Sequence, residues 1–174
     1  MPKLWSGFIC DVPARTPEQV IDKLKSYFQD KSVCDVGCGE GDVITMILKY
    51  TDRVCGVDWN MERLQYAIDR ELNVTQGNAE DDRLPFTDVY YVWIEVGQGQ
   101  QFKLDNIIKN ICIVNPKAII LIPTDMNDLN ELENLNYLSR HYKVDIIECP
   151  YDDGDEWRQK GIVHVNILEN IYTR

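Results

Sequence analysis

Two hydrophobic rhythms alternate along this chain of 174 residues. Short apolar runs, compact enough to be buried strands, fall at Ser32 to Gly37, Arg53 to Asp58, Asn73 to Gln76, Asp88 to Val96 and Lys117 to Pro123. Between them the apolar positions recur at helical spacing. Val20, Ile21, Leu24 and Phe28 form one such face. It is introduced by TPEQV, in which Thr16 can cap, Pro17 suits the first helical position and Gln19 completes a capping box. Further helices are predicted from Asp42 to Tyr50, with Val43, Ile44, Ile47 and Leu48 inward, from Met61 to Glu71 and from Leu104 to Ile113. A polar-faced helix is expected from Asn127 to His141. Strand alternating with helix is the pattern of a parallel α/β sheet. The end of the chain breaks the pattern. Val144 to Cys149 and Gly161 to Leu168 are strand-like, and only the loop Pro150 to Lys160 joins them, so an antiparallel hairpin is expected. The fold class predicted is therefore α/β: a doubly wound, mostly parallel, seven-stranded sheet closed by a C-terminal hairpin. Residues 1–174 read as one domain.

Composition narrows the function without choosing it. The net charge of −11 argues against a nucleic-acid partner, which usually selects a basic footprint. No apolar run is long enough to span a bilayer, and the first residues lack the long apolar stretch of a secretory signal, so a cytoplasmic protein is expected. The six cysteines (10, 34, 38, 55, 112 and 149) form no CxxC pair, and His141 and His164 lie far from them in sequence. They read as free thiols, with no metal site. The acidic run from Tyr151 to Glu156 reads as a solvated loop.

The candidate chemistry sits in VCDVGCGEGD, residues 33–42. Asp35 is followed by Gly37, Gly39 and Gly41 at alternate positions, and a helix starts at once. Glycines permit positive φ and let a ligand lie against the backbone. A dinucleotide fold wants GxGxxG, and here the third glycine comes one residue early. Asp42 would also repel a pyrophosphate, although it suits the helix dipole and can face a cationic or zwitterionic ligand. The second strand ends at Asp58, an acid placed to accept ribose hydroxyls. Trp59 follows and can cover an adenine ring, or can simply pack in the core. After the third strand, Asn78 offers an amide and Ala79 a neighbouring backbone N–H to adenine; a plain Asn-Gly turn is the alternative.

In this order, the segments resemble the motifs of the class I S-adenosylmethionine-dependent methyltransferases. VCDVGCGEGD is similar to their first motif, GVDWN to the second and QGNAEDDRLPF to the segment often written GDAxxLPF, with Asn78 where Asp is common. The resemblance runs from about Thr16 to Leu168 and includes the terminal hairpin. It implies a Rossmann-like methyltransferase fold and S-adenosylmethionine as cofactor. It further implies that Asp35 and the Gly37–Gly41 loop hold the methionine end, Asp58 the ribose, and Asn78 and Ala79 the adenine. CDVPARTPEQVIDKL loosely resembles a lead-in of some archaeal-type methyltransferases, protein lysine methyltransferases included, interrupted by Ala14 and Arg15.

The acceptor is expected beyond the fourth strand. Trp93 to Gln100 lacks the D/N-P-P-Y/F motif of nucleobase aminomethylation. Glu95 is the candidate catalytic contact near the methyl group, with a solvent-facing carboxylate as the alternative. The loop Gly97–Gln101 can close over substrate or be an ordinary connection. The first 15 residues, with Trp5 and Phe8, remain to form a lid. Three readings stay open: a methyltransferase acting on a protein side chain, one acting on a small molecule, and an inactive binding or scaffold protein; a partner chain that completes the open site is a separate alternative. An NAD-dependent dehydrogenase is set back by the glycine spacing.

Overall fold

A computed structural model describes residues 18–93, 104–122, 140–152 and 160–172. The elements in chain order are α1 (Glu18–Lys23), α2 (Lys25–Phe28), β1 (Val33–Val36), α3 (Asp42–Ile47), β2 (Val54–Asp58), α4 (Met61–Asp69), β3 (Val74–Gln76), β4 (Val89–Trp93), α5 (Leu104–Val114), β5 (Ala118–Ile122), β6 (Tyr142–Asp152) and β7 (Lys160–Asn170). The described strands form one seven-stranded sheet in the order β3-β2-β1-β4-β5-β7-β6. The first five are parallel, and β7 is inserted antiparallel between β5 and β6. This is the expected doubly wound sheet with its terminal hairpin.

Burial on both faces explains why the central strands read as continuous apolar runs. Every residue of β1 and β5 is buried. Alternate side chains serve two cores. Val33, Tyr91 and Ile120 pack with Val20, Ile21, Leu24 and Phe28 on one face. Cys34, Tyr90 and Ile119 pack with Ile107, Ile108 and Ile111 of α5 on the other. The amino ends of the strands are tied together by Asp88. Its carboxylate accepts from the Ser32 backbone N–H at 3.0 Å and pairs with Lys117 at 2.9 Å. The backbone bond from Ser32, with help from Lys117, lowers its pKa to about 2.

Several boundaries depart from expectation. The predicted first helix is broken at Leu24, where the chain tightens into a turn (φ −90°, ψ 2°) and Tyr27 N–H bonds back to the Leu24 carbonyl. The kink keeps both Leu24 and Phe28 buried. The hairpin strands are longer than predicted because cross-strand pairing recruits the polar ends from Tyr142↔Asn170 to Asp152↔Lys160. Asp152 of the acidic run thereby belongs to a strand. Of the cysteines, 34, 38 and 149 are buried, 55 and 112 half-buried, and all five are free. No helix among the described residues is long and apolar enough to cross a membrane. Outside the described residues lie the lid candidate 1–15 with Cys10, the Thr16–Pro17 cap, Glu95, the loop Gly97–Gln101, most of the predicted helix from Asn127 to His141 and the rest of the acidic run.

Candidate cofactor site

The turn after β1 lies at the carboxyl end of the parallel strands, where doubly wound sheets bind ligands. Its three glycines all have positive φ: Gly37 at 79°, Gly39 at 50° and Gly41 at 84°. Their roles differ. A Cβ on Gly37 would sit 3.5 Å from the Trp93 carbonyl, at the end of β4. On Gly39 it would meet the Arg63 guanidinium, 2.7 Å from Nη2. On Gly41 it would overlap Leu72 Cδ1 and press on Ala67, so this glycine lets the loop pack against α4 and the segment behind it.

Asp35 is 2% exposed, and its Oδ2 has no hydrogen-bond partner. Burial first, and the neighbouring Asp58 carboxylate second, push its pKa up to about 8. A buried carboxyl without a donor is costly unless a ligand supplies one. Asp58, at 7% exposed, is held by two backbone groups: Oδ2 accepts from Gly39 N–H at 2.9 Å and Oδ1 from Asn60 N–H at 2.8 Å. The acid therefore pins the glycine loop to the end of β2. Asn60 in turn caps α4, accepting from Glu62 and Arg63 N–H. Trp59 is 47% exposed beside this cap, which removes the core-packing alternative.

Two of the polar side chains already have partners within the chain. Asp42 is partly exposed. It pairs with Arg70 at 2.9 Å, and the same guanidinium also donates to the Glu40 carbonyl and to Thr45 Oγ1. Asn78 uses its amide within its own turn, accepting from Glu80 N–H at 3.1 Å and donating to Asp81 at 3.3 Å. The Asx-turn alternative is what forms, because a short amide side chain bonds most readily to its own backbone. Ala79 packs against the α5 core, and its carbonyl accepts from Asn110 at 2.9 Å. Arg63, Arg70 and Asn110 were not singled out in the sequence. Long-range contacts place them, and their local spacing carries no signal.

The sequence matches the family described as "Methionine biosynthesis protein MetW" over residues 19–126, more than half of the chain. The chain belongs to the MetW family. No curated protein matches it. Solved structures share its fold at low identity. A precorrin-6y C5,15-methyltransferase from Geobacter metallireducens has 18% identity and a TM-score of 0.66, with 92% of this chain and 93% of that one covered. A magnesium protoporphyrin IX methyltransferase from Synechocystis, solved with bound S-adenosylmethionine, has 10% identity, a TM-score of 0.62, and 97% and 90% coverage. A putative RNA methyltransferase from Pyrococcus horikoshii has 12% identity, a TM-score of 0.65, and 99% and 97% coverage. This MetW-family chain has the fold of the class I S-adenosylmethionine-dependent methyltransferases.

The residues fit that cofactor. S-adenosylmethionine carries an ammonium that matches the orphaned Asp35 oxygen, ribose hydroxyls that match a carboxylate at the end of β2, and an adenine that matches an exposed indole beside it.

Proposed function

We propose that the protein transfers the methyl group of S-adenosylmethionine through a site built from Asp35, Gly37, Gly39, Gly41, Asp58, Trp59, Asn78 and Ala79. The buried Asp35 carboxyl, whose Oδ2 has no hydrogen-bond partner, carries this reading. The bound cofactor supplies an activated methyl on a sulfonium, and the chain's residues align it and exclude water. Asp35 takes the amino group of the methionine end. The glycine loop lets the methionine end lie against the backbone, and Arg63, lying over Gly39, is the counter-charge within reach of its carboxylate. Asp58 accepts the ribose hydroxyls with its remaining lone pairs while Gly39 and Asn60 fix its orientation. Trp59 covers the adenine. With Asn78 engaged in its turn by side chain and backbone alike, the Ala79 N–H is left to read the ring edge. Glu95, two residues beyond β4, is the polar contact we assign near the methyl group.

For the acceptor, our first reading is a protein side chain, resting on the lead-in before α1 and on the net charge of −11, which disfavours nucleic acid. A small molecule is the second reading, favoured by the description of the family as a methionine biosynthesis protein. The buried free thiols suit a cytoplasmic protein. Residues 1–14 serve as the lid in this reading: their deletion should weaken cofactor or acceptor binding, and unchanged binding of both would reject the lid.

Calorimetric titration with S-adenosylmethionine, S-adenosylhomocysteine and NAD tests the site. The two adenosyl ligands should bind and NAD should not. Binding of NAD alone would overturn the assignment. A labelled-methyl screen on protein and small-molecule fractions then separates the acceptor classes. Cofactor binding without transfer to either would favour a binding or scaffold role that a partner chain completes.

A further inference from the structure

The β6 strand is the outer edge of the described sheet, and its eleven residues are about twice the usual strand length. Long open edges invite pairing with another chain. The hydrogen bonds show which backbone groups face outward. His141 carbonyl accepts from Ile171 N–H of the neighbouring strand, whereas the Glu148 and Asp152 carbonyls accept from the side chains of Lys23 and Gln19. Backbone groups alternate along a strand, so the even-numbered residues of β6 turn theirs to the free edge. From Glu148 to Asp152 that edge is blocked by Lys23, Gln19 and Pro150, which has no N–H to offer. From Tyr142 to Ile146, no strand lies outside it among the described residues. Val144 is 40% and Ile146 61% exposed there, and a shallow groove lined by Lys23, Ile146, Ile147, Glu148 and Pro150 runs beside them.

We propose that this edge pairs antiparallel with the same edge of a second copy, about a two-fold axis at Val144, to form a sheet continuous through two subunits. Self-complementarity selects the axis. An axis at Val144 sets Lys143 opposite Asp145 of the second copy, and Asp145 opposite its Lys143. On the other face it sets Val144 against Val144 and Tyr142 against Ile146. Both faces match: opposite charges on one, apolar groups on the other. Neighbouring axes fail. One at Lys143 or Asp145 sets like charges face to face. One at Ile146 sets Val144 against Glu148, whose carbonyl Lys23 already occupies. Within each subunit, Lys143 and Asp145 are already aligned on one face, 2.6 Å apart, so the two pairs would join into a four-charge cluster across the axis.

Sedimentation equilibrium of the full chain over a range of concentrations tests this. The wild type should be a dimer in equilibrium with monomer. Lys143→Asp, which places four carboxylates at the axis, should raise the dimer dissociation constant by about tenfold or more. The exchange Lys143→Asp with Asp145→Lys should restore it, and this rescue separates pairing from misfolding. Val144→Pro removes an outward N–H without touching the bonds to β7 and should also yield monomer. A wild type that stays monomeric at all concentrations would overturn the proposal. So would a dimer that ignores both Lys143→Asp and Val144→Pro.

Discussion

Replacing Asp35 with asparagine keeps the shape of the buried side chain and removes its titration. In the folded protein this carboxyl has a pKa of about 8, against 3.8 when solvated. Between those values the unfolded chain has lost the proton and the folded chain still holds it. A raised folded pKa contributes stability that is fully present below the unfolded value and is lost as pH rises through the folded one. Each pH unit in that window costs about 1.4 kcal/mol, and the slope eases near pH 8. From about pH 5.5 to pH 7.5, Asp35 alone should remove about 2–3 kcal/mol from the cofactor-free protein, a large fraction of a typical domain's stability. The Asp88 carboxylate, held down to about 2, titrates below this window and does not mask the effect. Urea unfolding of wild type and Asp35→Asn at several pH values is the assay. The variant should gain on the wild type as pH rises, by about that amount. Parallel pH profiles for the two proteins would refute the claim that this carboxyl is buried without a partner.

Three further expectations follow from the same site. Because cofactor binding selects the ionised form of Asp35, affinity for S-adenosylmethionine should rise about twentyfold from pH 6 to pH 7.5 in wild type, measured by calorimetry, and Asp35→Asn should lose that dependence. Gly41→Ala adds left-handed strain to an overlap with Leu72 and should cost about 3 kcal/mol in urea unfolding, whereas Gly39→Ala carries left-handed strain but displaces only the far end of Arg63, should cost about 1–2 kcal/mol, and should weaken cofactor binding more than it weakens the fold. Equal losses of stability would mean that both glycines are structural. Asp58→Ala should abolish cofactor binding and also destabilise by about 2–3 kcal/mol, since it strands the N–H groups of Gly39 and Asn60; a neutral effect on thermal unfolding would show that neither bond matters.

The layers of the fold were legible because periodicity is local. Val33 to Val36 and Ala118 to Ile122 announce themselves as doubly buried strands, and the glycine turn after β1 takes the positive φ values its spacing implied. The site was legible in outline only. Asp35 and Asp58 were recognisable as acids at strand ends, but their proximity, which helps raise the Asp35 pKa, exists only once β1 and β2 lie side by side. Asp58, an acid placed to accept ribose hydroxyls, is also nearly buried and bonded to the loop it supports, a second role that only the folded loop reveals. The Arg70 partner of Asp42 was not legible, because it is 28 positions away. The kink at Leu24 has no glycine or proline to mark it, and both Leu24 and Phe28 are buried across it.

The overlap awaiting any side chain at position 41 has a consequence for how such sequences diverge. Leu72 fills the space that a Cβ at Gly41 would occupy, so the turn that faces the ligand and a residue on the far side of α4 share one volume. Position 72 can shrink alone, but position 41 is held to glycine twice, by the overlap and by its φ of 84°. A non-glycine at 41 needs both a small residue at 72 and a side chain that tolerates the left-handed region, asparagine above all. Across distant members, any such residue at 41 should therefore appear only beside a small residue at 72. A comparison of sequences can detect that covariation without assaying a single methyl transfer.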